Sequence, residues 1–240
     1  MPVRLLPPLE RSALLIDLDG TLIDIAPRPG AVVVPVALPD VLHRLRRLLD
    51  DALAVVTGRP VETVESLLGD AVFAVAGEHG AAIRHSPSGP LERPLLPGPP
   101  AAWLTAAERL ALTHPGVLIE VKARGFTMHF REVPAAERPL RDALIAMVQG
   151  SEFELLAGKM MWEVRPRGTD KGKAVVALMD RPPFRGRLPV FIGDDVTDED
   201  GIRAAVALGG AGLRVPEVFG DAAGVRAWLA DIAADGTWPN

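Results

Sequence analysis

Four polar clusters hold most of the chemistry available to this 240-residue chain: Asp17-Leu18-Asp19-Gly20-Thr21, Thr57-Gly58-Arg59, Lys171, and Gly193-Asp194-Asp195 with Asp198. Taken singly, each has a plain structural explanation. An Asp-Gly pair after a strand is usually a turn, Asp194-Asp195 can cap a helix, and Lys171 can be a surface lysine beside Asp170. Together they are harder to dismiss. The clusters at 17, 57 and 193 each follow a short apolar run, at 13–16, 52–56 and 189–192, and open α/β sheets bind ligands beyond the carboxyl ends of their strands. Several aspartates would then converge on one rim, where mutual repulsion is costly unless a cation neutralises it. Oxygen ligands without His or Cys point to a hard cation such as Mg²⁺, which usually also holds water and substrate phosphate.

The elements that must position these residues follow from the pattern of apolar positions. Runs at 13–16, 52–56 and 71–76 read as strands buried on both faces, and helical spacing appears at 38–49 and 61–68. Strand, helix, strand, helix, strand implies a parallel sheet covered by helices. The texture then changes. Pro/Gly-rich segments at 86–90 and 94–100 read as connector, followed by a helix at 101–113, strands at 117–122 and 126–131, a helix at 135–148, and strands at 152–157 and 160–165. This αββαββ order is self-contained and reads as an inserted α+β domain, with 166–168 as the return linker. The earlier rhythm resumes with helices at 172–179, 199–208 and 221–232 and strands at 189–192 and 213–215.

Composition narrows the classes. Lys plus Arg total 26 against 31 Asp plus Glu, a net charge of −5, which disfavours a sequence-independent nucleic-acid binder. No apolar run approaches the roughly 20 residues that cross a bilayer, and no long apolar stretch of a secretory signal opens the chain. There are no cysteines, hence no disulfides or thiolate metal sites. A cytoplasmic, monomeric globular protein is expected.

In order, Asp17-x-Asp19-Gly20-Thr21, Thr57, Lys171 and Gly193-Asp194-Asp195 match the four motifs of the haloacid dehalogenase (HAD) superfamily of phosphohydrolases. More narrowly, the sequence resembles trehalose-6-phosphate phosphatases. The features are Val56-Thr57-Gly58-Arg59, Gly77-Glu78-His79-Gly80-Ala81, Glu120-x-Lys122 with His129-Phe130-Arg131, Lys159-x-x-x-Glu163-x-Arg165-Pro166, Asp170-Lys171-Gly172 and Gly193-Asp194-Asp195-x-Thr197-Asp198-Glu199-Asp200. The likeness runs from about 13 to about 206, with one departure at Gly201-Ile202, where many relatives carry Met or Ala followed by Phe.

The resemblance implies a Rossmann-like HAD core at 1–85 and 167–240 with an α+β cap at 86–166, and a Mg²⁺-dependent hydrolysis of trehalose 6-phosphate to trehalose and phosphate. Asp17 would be the nucleophile that forms an aspartyl-phosphate. Asp19 would be the general acid for the departing sugar oxygen and then the base that activates water. Thr57, with Gly20, Thr21 and Gly58, would contact the phosphoryl group, and Lys171 would supply a point charge. The metal ligands would be Asp17, the Asp19 backbone carbonyl and Asp194, with Asp195 or Asp198 behind them. An insertion at this point of the chain is placed to close over the strand ends. The implied sugar contacts are Lys122, His129, Lys159 and Glu163, with Glu78 and His79 at the third strand's end. His129 alone reads equally well as a structural histidine, and Glu163 as the exposed face of an edge strand. Arg59 receives no assignment: it either supports a helix N-terminus or reaches the site. Rival functions are the same chemistry on another sugar phosphate such as sucrose 6-phosphate, a sugar phosphomutase, and a non-catalytic sensor, against which the intact Asp17 and Asp19 argue.

Overall fold

The computed structural model describes residues 6–26, 29–93 and 95–239; Pro94, at the head of the expected 94–100 connector, lies outside them. The chain divides into two compact units, Met1–Arg93 with Asp170–Asn240, and Pro94–Thr169. In chain order the first unit contributes β1 (Ser12–Ile16), α1 (Leu38–Leu48), β2 (Leu53–Val56), α2 (Val61–Leu68), β3 (Ala74–Gly77), β4 (Ala82–Arg84) and β5 (Leu91–Glu92). The second unit holds α3 (Ala101–Leu112), β6 (Leu118–Val121), β7 (Phe126–His129), α4 (Glu137–Val148), β8 (Phe153–Gly158) and β9 (Met161–Pro166). The first then resumes with α5 (Lys171–Met179), β10 (Leu188–Gly193), α6 (Asp198–Ala207), β11 (Ala211–Arg214), α7 (Val215–Val218) and α8 (Ala222–Asp235).

In the first unit the strand order is β11-β10-β1-β2-β3-β4-β5. The strands from β11 to β3 pair in parallel, and β4 and β5 continue the edge antiparallel. Every residue of β1 and of β2 is buried, as expected for parallel strands with helices on both faces. β1 lies between β2, its next strand in sequence, and β10, which returns from the far end of the chain. That reversal of strand order is where doubly wound sheets open a crevice. Register sharpens the placement: Ile16 pairs with Ile192 on one side and Val55 on the other. Asp17, Gly193-Asp194 and Thr57 therefore leave the sheet side by side.

The fold is the α/β core with an inserted α+β unit that the sequence pattern implies. Several details differ. Residues 71–73 form a turn, and β3 starts at Ala74. β4, β5 and α7 were not expected. Residues 86–93, expected in the cap, fall in the first unit because Leu91 and Glu92 pair with Arg84 and Ile83. Pro166, expected in the return linker, closes β9 opposite Phe153.

The second unit is an antiparallel sheet in the order β6-β7-β9-β8. One face carries Phe126, Met128, Phe153 and Val164, which form a core with Leu140, Leu144 and Val148 of α4 and Ala107 of α3. The alternation of strands sends the other residues to the opposite face. There Glu120 stands opposite Thr127, which stands opposite Glu163.

One close approach in the first unit bears on the site. A Cβ on Gly193 would lie 2.2 Å from the Asp198 carboxyl carbon, so only glycine lets the end of β10 pass the start of α6. Gly193→Ala should displace Asp198 and lower stability by ~1–3 kcal/mol, measured by urea unfolding.

Candidate active site

The loop ends of the first unit meet around one ammonium group. Lys171 opens α5, whose N-cap Asp170 accepts a hydrogen bond from the Lys173 amide. Its Nζ donates to Asp17 Oδ1 and to Asp198 Oδ1, both at 2.6 Å. Lys171, Asp17 and Asp198 are 3%, 4% and 0% exposed, so the reading of Lys171 as a surface lysine is corrected. Burial opposes its charge, but the two carboxylates more than offset this and hold the ammonium above its ordinary pKa. Burial and the neighbouring Asp198 carboxylate push Asp17 upward, against the pull of Lys171.

Asp198 is fully engaged. Its second oxygen accepts the amides of Asp194 and Asp195, each at 3.0 Å. This shapes the turn that presents Asp194. Asp195 turns its own carboxylate to the Val196 amide at 2.6 Å; of the two aspartates expected behind the metal ligands, Asp198 is the one that meets Lys171. Asp194 in turn lies over the loop after β1, where a Cβ on Gly20 would stand 2.3 Å from its Oδ2. Gly20 has φ +84° and spends its amide on Ile23 O at 2.8 Å, while Thr21 gives its amide to Leu18 O and its hydroxyl to Asp17 Oδ2, both at 3.4 Å. Both amides are thus held within the loop. Gly20 supplies clearance, and Thr21 braces Asp17.

The carboxylates of Asp17, Asp194 and Asp198 each offer an oxygen within 4.8 Å of the others. Together they carry more negative charge than Lys171 cancels, and the group contains no nitrogen or sulfur donor. Such a set fits a hard divalent cation. Asp198 gives its two oxygens to Lys171 and two amides, whereas Asp17 gives one to Lys171 and the other to the Thr21 hydroxyl at 3.4 Å.

Thr57 is buried after β2, and its Oγ1 accepts the Arg59 amide at 3.2 Å, which leaves the hydroxyl proton able to donate. The guanidinium of Arg59 grips Asp19 at two points, Nε to Oδ2 at 2.6 Å and Nη2 to Oδ1 at 2.7 Å. Beside it, Glu78 and His79 both adopt left-handed conformations, with φ 51° and 55°. Their amides donate to Arg59 O and Thr57 O, each at 2.9 Å, and the His79 ring lies against Gly58. The buried Glu78 carboxylate meets Arg93 Nη1 at 2.6 Å.

In the second unit the polar sheet face holds a separate cluster. Lys122 Nζ donates to Glu163 Oε1 at 2.8 Å, with side chains 5% and 3% exposed. Glu163 is thus a buried partner and not an exposed edge residue. His129 Nε2 meets Glu120 Oε2 at 2.9 Å. Burial raises the Glu120 carboxyl, but the bond from His129 and the Lys122 charge outweigh it and hold the group below its usual range. Thr127 between them is fully buried, and its Oγ1 has no hydrogen-bond partner among the described residues. Lys159 sits exposed at the β8–β9 turn, where its carbonyl accepts from Arg131 at 3.4 Å. Sequence reasoning gave no role to Arg59, Glu120 or Thr127. The two-residue spacing of Glu120 and Lys122 was a usable signal for Glu120, and membership of the Thr57-Gly58-Arg59 cluster was one for Arg59; Thr127 had none.

Comparison with known proteins agrees with this geometry. The trehalose-phosphatase family profile matches residues 15–216. A probable trehalose-phosphate phosphatase of Sinorhizobium fredii is 38% identical over 216 residues, covering 86% of this chain and 78% of the relative. The trehalose-6-phosphate phosphatase of Escherichia coli is 37% identical over 205 residues, 83% of this chain and 75% of that one. Among solved structures, the C-terminal domain of a Candida albicans trehalose-6-phosphate phosphatase superposes with a TM-score of 0.76 at 21% identity, covering 94% of this chain and 93% of that one. A haloacid dehalogenase-like hydrolase of Bacteroides thetaiotaomicron gives 0.57 at 14% identity, with 81% and 85% covered. At those identities the two structures speak for the fold alone, whereas the family match and the close relatives speak for descent: the chain belongs to the trehalose-phosphatase family.

Proposed function

We propose that this protein hydrolyses trehalose 6-phosphate to trehalose and inorganic phosphate through an aspartyl-phosphate on Asp17. The observation that carries the reading is the buried Lys171 bridge between Asp17 and Asp198, with Asp194 beside it, in a chain of this family. A Mg²⁺-class cation held by Asp17, the Asp19 carbonyl and Asp194 would draw charge from the phosphate dianion as the nucleophile approaches.

The chain's own residues do the rest. Lys171 fixes the Asp17 carboxylate and supplies positive charge at the reacting oxygens. An Asp17 oxygen forms a bond to phosphorus as the phosphorus–sugar oxygen bond breaks, and Asp19 passes a proton to the departing sugar oxygen. Asp19, now ionised, takes a proton from water as that water attacks phosphorus and frees Asp17. Thr57 donates its hydroxyl proton to a phosphoryl oxygen. In the second unit, Glu120, Lys122, His129 and Glu163 offer acceptors and donors suited to sugar hydroxyls, with Lys159 at the adjacent turn. Glu78 and His79, which would lie at the sugar, also brace the Thr57–Arg59 loop through their amides. A cytoplasmic location and a monomeric state complete the proposal.

A panel of sugar phosphates assayed for phosphate release should favour trehalose 6-phosphate by more than about tenfold. Activity should vanish with a chelator and return with Mg²⁺; equal rates on sucrose 6-phosphate would overturn the substrate, and an isomerised phosphosugar without free phosphate would indicate a mutase. Asp17→Asn should lower kcat by ~10³-fold or more while substrate binding stays measurable by calorimetry. Lys171→Met leaves Asp17 and Asp198 facing each other in the interior, and should cost ~3–5 kcal/mol in urea unfolding without metal; a loss under about 1 kcal/mol, the size of a surface pair, would refute the bridge.

A further inference from the structure

Arg59 lies 40 residues from Asp19 in sequence, yet its guanidinium occupies both oxygens of that carboxylate. The base of the arginine is anchored at both backbone groups: its amide donates to Thr57 Oγ1 at 3.2 Å, and its carbonyl accepts from the Glu78 amide at 2.9 Å. Asp19 is anchored as well, by its backbone bridge to Ile23. The Arg59 and Asp19 side chains are 15% and 32% exposed, so the contact is shielded on the arginine side and open on the aspartate side. Forked pairing of this kind fixes the plane of a carboxylate as well as its place.

That geometry matters for a residue that must serve two proton transfers in succession. Each Asp19 oxygen gives one lone pair to the fork and keeps another. One oxygen can therefore take part in proton transfer while the other stays bonded to the guanidinium as a pivot. Arg59 has no need to leave, because its backbone is tied on two sides.

We propose that Arg59 is a positioning residue for Asp19: by holding one oxygen of its carboxyl group, it aims the other at the sugar leaving group and then at water. This rests on the assignment of Asp19 as the acid and base of the proposed phosphatase reaction. It predicts a defect that scales with how much the leaving group needs a proton. A sugar alkoxide leaves poorly unless protonated, whereas a nitrophenolate leaves without help.

The test compares kcat and KM of wild type, Arg59→Lys and Arg59→Ala on trehalose 6-phosphate and on p-nitrophenyl phosphate. Arg59→Ala should reduce the ratio of sugar to aryl kcat/KM, which reports the step up to the aspartyl-phosphate and not the water step common to both esters, by about tenfold or more, a fraction of what general acid–base catalysis supplies. Its KM for the sugar phosphate should stay within about threefold of wild type, and Arg59→Lys, which restores a single donor, should recover part of the ratio. Aryl turnover by each variant shows that the site is folded. An unchanged ratio, with both esters slowed alike, would overturn the proposal, as would a KM rise at constant kcat, since Arg59 would then be a substrate-binding group. A wild type that hydrolyses the aryl ester but not trehalose 6-phosphate would instead refute the substrate assignment, and the ratio would be read on whichever sugar phosphate of the panel it does hydrolyse.

Discussion

A single buried ammonium holds the site together. Lys171 reaches Asp17, 154 residues away, and Asp198, 27 residues away, with the same nitrogen. Two like charges at about 4 Å repel by on the order of 4 kcal/mol even at an effective dielectric of 20, and here Asp194 adds a third carboxylate. One lysine offsets only part of that. The cluster is therefore left short of positive charge, which fits the dication of the proposed reaction.

The parallel sheet makes this concentration of charge possible. Strands neighbouring at the reversal of order sit about 4.8 Å apart, so residues just past β1, β10 and β2 need no special loops to meet. The apolar runs that build those strands were plain in the sequence, as were the acidic residues that end them, because burial on both faces requires uninterrupted apolar side chains. The antiparallel edge was not legible. β4 is Ala-Ile-Arg and β5 is Leu-Glu, too short to show a period of two, and their pairing depends on a partner strand and not on local pattern. That also misplaced the expected boundary at 85, since a hairpin that joins the sheet edge carries its flanking residues into the first unit.

What sequence could not supply were side-chain partners. Lys171, Asp17 and Asp198 were each identifiable from their motifs, but which of Asp195 and Asp198 would meet the lysine depended on the turn after β10, where Asp198 accepts two amides and Asp195 turns back on Val196. Arg59 was ambiguous for the same reason. An arginine after a Thr-Gly turn has several directions open to it, and only the positions of Thr57 and Glu78 settle its backbone. Thr127 gave no signal at all, since a threonine in a strand is what strand propensity alone would select.

The two units solve opposite electrostatic problems. The first gathers carboxylates beyond what its lysine cancels, whereas the second has a polar face that pairs its charges internally, Lys122 with Glu163 and Glu120 with His129. A ligand on that face must replace hydrogen bonds already made, so its net gain per contact is small. Discrimination can nevertheless be large. An incoming group that cannot both donate and accept would leave Lys122 or Glu163 buried without its partner, at a cost of several kcal/mol. The proposed sugar's hydroxyls would do both. Internal pairing thus orders the face by its own contacts, Lys122 with Glu163 and Glu120 with His129, and sets the hydrogen bonds that the proposed sugar would have to match.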